Sequence, residues 1–102
     1  MSNTTIWLLK EIAEFIVVLN TCLDETNFVE DRHLYADDIA VAVDWLNRLQ
    51  AGTQAVVIAS QILESSTSKH FTEYWRQGAW GEMESKALAD LQSNIRSKLK
   101  FN

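Results

Sequence analysis

Glu11 and Glu14 stand three residues apart in the run LLKEIAEF. On a helix that spacing sends two carboxylates to neighbouring positions, where they can share a divalent cation such as Mg2+. Asp37 and Asp38 are the acids at a suitable distance along the chain to complete such a set. Glu30 and His33 make one Glu-x-x-His pair, the spacing of di-iron helical bundles, but those sites need two such pairs and two further glutamates. Thr67 stands three residues before His70, so the second pair is missing. One cysteine and two histidines leave almost no room for a structural zinc site. The sequence has no glycine-rich phosphate loop. No strand–turn–helix context supports a serine or cysteine triad with either histidine. Glutamate pairs three apart are also common on solvated helix faces, where they need no ligand. That simpler reading is preferred, so the expectation is no catalytic residue, no metal and no cofactor.

The segments LLKEIAEF and LYADDIAVAVD resemble all-α nucleotide pyrophosphohydrolases of the MazG and dUTPase kind. Those enzymes carry Glu-x-x-Glu on one helix and complete the site with Glu-x-x-Asp on the next. The resemblance covers these two segments alone. It implies metal-dependent hydrolysis of a nucleotide, with Glu11, Glu14, Asp37 and Asp38 as ligands. The chain departs from the pattern where it matters. Ala40 and Val41 occupy the positions three residues after Asp37 and Asp38, and Asp44 lies a further turn away.

A second group is aromatic. Phe71, Tyr74, Trp75 and Trp80 lie near Lys69, His70 and Arg76. Stacking on a single-stranded nucleic acid would need a cationic groove around them. The charge argues otherwise: residues 1–51 carry three Lys and Arg against nine Asp and Glu, and residues 52–102 carry six against five. An acidic domain repels a phosphate backbone, so nucleic acid is not an expected partner. Core packing accounts for at least two of the four rings. A protein-binding patch is the competing use, since Trp, Tyr and Arg are favoured anchors at interfaces.

The elements that must position these residues are helical. Proline is absent and all three glycines follow residue 51, which leaves long helices uninterrupted. Apolar residues make up 47% of the chain, enough for one domain with a real core. The spacing predicts a central helix over Thr5–Leu23, with Leu8, Ile12, Phe15, Leu19 and Leu23 on one face and Cys22 at its margin. A loop is expected over Asn27–His33. A second helix follows over Leu34–Ala51, its principal face made of Tyr35, Ile39, Ala42, Val43, Leu46 and Leu49. Gly52 should stop it, and Thr53 can cap a third helix running to Glu64. A short helix should hold Phe71, Tyr74 and Trp75, and a last one runs from Glu82 to Lys100 with the narrow seam Leu88, Leu91, Ile95 and Leu99. The expected fold is therefore all-α, a compact bundle of four to five helices in a single domain.

No stretch reaches the roughly 20 apolar residues of a membrane span, and no secretory signal is read. The chain is expected to be soluble, cytoplasmic and reducing-compartment, with Cys22 a small buried hydrophobe. The first two helices carry more apolar surface than one packing partner requires. Trp7 and Val18 on the first, and Leu34, Val41 and Trp45 on the second, form a surplus face. A homodimer is the expected way to cover it. The preferred functional reading is a non-catalytic helical interaction module that self-associates. The alternatives are the metal-dependent hydrolase and an acidic inhibitor or immunity-type protein that covers a basic site.

Overall fold

Ser2 starts the first helix two residues earlier than the apolar spacing alone indicates. Its Oγ accepts the Thr5 backbone N–H at 3.1 Å and satisfies one of the orphan donors of the first turn. The computed structural model describes residues 1–65 and 78–99. Four α-helices are described: α1 (Asn3–Glu25), α2 (Val29–Gln50), α3 (Ala55–Glu64) and α4 (Gly78–Leu99). The short helix expected around Phe71, Tyr74 and Trp75 lies outside the described residues.

The chain reverses between α1 and α2 within three residues, not over the seven of Asn27–His33. The Thr26 N–H bonds to the Cys22 carbonyl at 3.0 Å, and Thr26 Oγ1 then accepts the Phe28 N–H at 3.3 Å. Helix α2 can begin at Val29 because Glu30 and Asp31 fall in its first turn, where negative charge offsets the helix dipole. Glu30 to His33 is therefore helix, not loop.

At the other end of α2 the joint is a turn that separates two helices. The Thr53 N–H reaches back to the Arg48 carbonyl at 2.9 Å, and the Gly52 N–H to the Leu49 carbonyl at 3.2 Å. This paired pattern is a Schellman motif, and it requires Gly52 in left-handed backbone with φ 110°. Thr53 is thereby used to close α2. Gln54, not Thr53, is the N-cap of α3, and it makes no side-chain capping bond. Helix α4 starts at Gly78, four residues before the expected Glu82, and so takes in Trp80.

Three of the helices bury residues that alternate three and four apart. On α1 these are Leu8, Ile12, Phe15, Leu19 and Cys22; on α2, Asp31, Tyr35, Asp38, Ala42, Trp45 and Leu49. On α4 the seam runs through Gly81, Glu84, Leu88, Leu91 and Ile95. Such a seam keeps one narrow face turned to a neighbour along the whole helix. Helix α1 lies at the centre and packs on α2, α4 and α3, most extensively on the first two. Its run is antiparallel to α4: the Cys22 thiol meets the Trp80 carbonyl at 3.4 Å at one end, and Lys98 Nζ lies 5.8 Å from the Trp7 ring centre at the other.

The stripe on α2 differs from the expected one. Trp45 and Asp38 point inward, whereas Ile39, Val41 and Leu46 pack at its flanks. Helix α3 adds Ala55, Ile58, Ala59 and Ile62 to the core. Two polar bonds tie it in place: Arg48 Nη1 donates to Gln61 Oε1 at 2.7 Å, and Gln92 Nε2 donates to the Ile62 carbonyl at 3.0 Å. No described helix is long and apolar enough to cross a membrane.

Gly52 offers a direct check on the turn. A Cβ added there meets nothing within 4 Å, so any cost is backbone strain alone. Gly52→Ala should lower stability by about 1–2 kcal/mol, read as a lower urea midpoint at unchanged m-value. An unchanged midpoint would mean that the left-handed turn is not held.

Candidate functional site

The four acids that could have formed a metal centre are placed apart in character. Glu11 is half-buried and Glu14 exposed, and both line one groove; Asp37 is exposed, while Asp38 is fully buried in the α2 seam. Among the described residues no three His, Cys, Asp or Glu side chains gather in a geometry that could hold a metal ion. Glu30 and His33 are both exposed on the first turns of α2. Of the aromatic group, Trp80 is half-buried in the first turn of α4; Phe71, Tyr74 and Trp75 lie outside the described residues.

The surplus apolar face is also redistributed. Trp45 is only 4% exposed and belongs to the core, so it cannot present a contact surface. Its inward turn follows from the seven-residue steps Asp31, Asp38, Trp45, which put all three on one line of the helix. Trp7, Val18, Leu34 and Val41 are half-buried. Trp7 and Val41 pack against the core, and Lys98 lies over the Trp7 ring. The aliphatic side chains that do face outward are others: Ile6 and Val17 on α1, Val29 on α2, Val56 and Val57 on α3, and Met83 on α4.

Sequence reasoning missed the buried acids. Asp31, Asp38 and Glu84 are each less than 5% exposed. Burying a carboxylate is expensive unless it is partnered, and none of these three stands without an interaction partner; nor does Tyr35, which shares their face on α2. The signal was present in the alternating three–four spacing, which runs through these acids without a break.

Glu84 also acts on Cys22. Burial, and then the negative charge of Glu84, push the Cys22 thiol up from its ordinary 9.0 to about 11, against a smaller opposing effect of a backbone hydrogen bond. The thiol is a donor in the α1–α4 contact, not a nucleophile. Because the folded thiol holds its proton more tightly than the unfolded one, its contribution to stability is complete below pH 9.0 and is lost as pH rises through about 11.

What remains as a site is a groove of about 260 Å³ between α1 and α4. Phe15 and Leu91, both core residues, form its floor, with Val18 and Ala87 beside them. Glu11, Glu14, Asp90 and Asn94 form its rim. Asp90 pairs with Lys86 one turn earlier at 3.2 Å, a contact in which both side chains stay largely exposed and which therefore holds little charge in place. A second cavity of about 310 Å³, between the start of α1 and the α2–α3 turn, is lined by no acidic or basic side chain. Of these two, the α1–α4 groove carries the charged lining: apolar at its base and acidic at its lip.

Comparison with protein-family models, with curated proteins and with solved structures finds no match for this chain.

The placement of Cys22 has a simple readout. Native protein at pH 8 should react with a thiol reagent such as dithionitrobenzoate only as fast as it unfolds, and at once in strong denaturant. Rapid reaction of the native protein would contradict the buried, proton-holding thiol.

Proposed function

We propose that the chain is a non-catalytic helical interaction module that self-associates. The reading is supported above all by α3. This helix of 10 residues turns Ala55, Ile58, Ala59 and Ile62 inward, yet Val56 and Val57, adjacent in sequence, remain 49% and 41% exposed. Ile6 and Val17 repeat the pattern on α1. They lie eleven residues apart, close to three helical turns, and so share its outer face at 53% and 64% exposure. Each exposed side chain of this size forgoes part of the roughly 1.5–3 kcal/mol that full burial would bring. A second copy related by a twofold axis is the commonest cover for such residues.

The contact assigned to Trp7, Val18, Leu34, Val41 and Trp45 changes accordingly. Trp45 serves the core. The other four are half-buried and keep some apolar area within reach of a partner. The outward residues proposed here to meet a second copy are therefore Ile6, Val17, Val56 and Val57. No acid set in the described residues favours the hydrolase reading.

Light scattering tests the proposal. At about 100 μM, where a dimer of micromolar dissociation constant is nearly saturated, the wild type should scatter as twice the chain mass. Val17→Glu combined with Val56→Glu should give a monomer with an unchanged circular dichroism spectrum. A wild-type monomer at that concentration would overturn the proposal.

A further inference from the structure

We propose that the groove between α1 and α4 receives an arginine or lysine side chain presented by a basic segment of a partner protein. The inference goes beyond self-association and does not rest on it. The groove combines two features that one kind of side chain satisfies. Its base is apolar, with the edges of Phe15 and Leu91 beside the half-buried Val18. Its rim is of one sign, with the carboxylates of Glu11, Glu14 and Asp90 drawn from both helices, and no lysine or arginine lines it. Lys10, one turn before Glu14, stays outside the lining, as does Lys86, the 80% exposed partner of Asp90.

An aliphatic side chain would fill the base but leave the rim without a counter-charge. A small inorganic cation would meet the rim but leave the base wet. Long cationic side chains do both, laying their methylenes on apolar surface while the charged head reaches the rim. Arginine does so best, because its planar fork can bond two carboxylates at once. The volume, about 260 Å³, suits one or two such side chains, not a whole helix. The deficit of positive charge in residues 1–51, three Lys and Arg against nine Asp and Glu, would draw a basic partner in and repel nucleic acid.

Fluorescence anisotropy tests this with a short fluorescein-labelled peptide of arginine and leucine at physiological salt. A peptide with glutamine in place of arginine is the control. The wild type should bind the arginine peptide and not the glutamine one. The triple variant Glu11→Gln, Glu14→Gln, Asp90→Asn should weaken binding by at least about tenfold. A triple variant at exposed acids elsewhere, Asp24→Asn, Asp37→Asn, Asp44→Asn, should weaken it by less than about twofold. Amide shifts in the wild-type spectrum should centre on Val18, Ala87 and Asn94, a readout that needs no variant to fold. Equal losses in the two triples would mean diffuse attraction to an acidic surface and would overturn the proposal. So would the absence of binding, shifts centred elsewhere, or equal binding of free spermine, which would make the groove a site for small polycations. Light scattering on the same samples should show the assembly state unchanged, which separates this test from that of self-association.

Discussion

Everything in this chain depends on α1 being gripped from more than one side along a narrow line. Leu8, Ile12, Phe15, Leu19 and Cys22 are each no more than 3% exposed, and they follow one another at steps of four and three. Helix α1 packs on α2, α4 and α3, and the residues on that line are closed off from solvent at close-packed density. Helices α2 and α4 answer with seams of the same spacing. The lack of proline lets all three seams run the length of their helices. The tight reversals at Thr26 and Gly52 then set where the seam of α2 begins and ends.

The seams are not uniformly apolar, and that shapes the molecule along its length. On α2 the stripe passes from Trp45 and Leu49, through Ala42, to Asp38, Tyr35 and Asp31. On α4 it passes from Ile95, Leu91 and Leu88 to Glu84 and Gly81. One end of the bundle is thus held by aliphatic packing and the other by partnered polar groups. Carboxylates held out of water forgo hydrophobic gain, so the acidic end contributes less through apolar burial than the other. Cys22 sits at that end, and its thiol is raised first by burial and then by the negative charge of Glu84.

How much of this could be read from the sequence follows from how each signal works. Leu8, Ile12, Phe15 and Leu19 on α1 and Leu88, Leu91 and Ile95 on α4 are legible because those stretches are apolar and the polar side is clear. Leu23 and Leu99, expected on the same faces, are only half-buried, and Cys22 and Glu84 take seam positions instead. On α2 the apolar residues alone point to a face that includes Ile39, Val43 and Leu46, on the assumption that a buried stripe is apolar throughout. Asp31 and Asp38 break that assumption, and the stripe rotates to include them together with Trp45. The start of α2 was hidden for a related reason: a polar run such as Glu30 to His33 reads as loop, yet two acids suit the first turn of a helix. Glu11 and Glu14 were singled out for their spacing, and they do stand at a groove. Asp90, which joins them there, is 76 residues beyond Glu14, a distance that no local pattern spans. On α3 the spacing of Ala55, Ile58, Ala59 and Ile62 is legible in the sequence and leaves Val56 and Val57 off the buried side.

The central claim is that the three–four line, and not the amount of apolar surface on a helix, decides what holds the fold. Ile12 and Ile6 isolate it, since they are the same residue on the same helix. Ile12 lies on the line and is fully buried, whereas Ile6 lies off it and is 53% exposed. Urea unfolding of Ile12→Ala and Ile6→Ala, at protein concentrations low enough to keep every variant monomeric, compares them directly. Ile12→Ala should cost about 2–5 kcal/mol, and Ile6→Ala no more than about 0.5 kcal/mol. Similar losses at both positions would contradict the account.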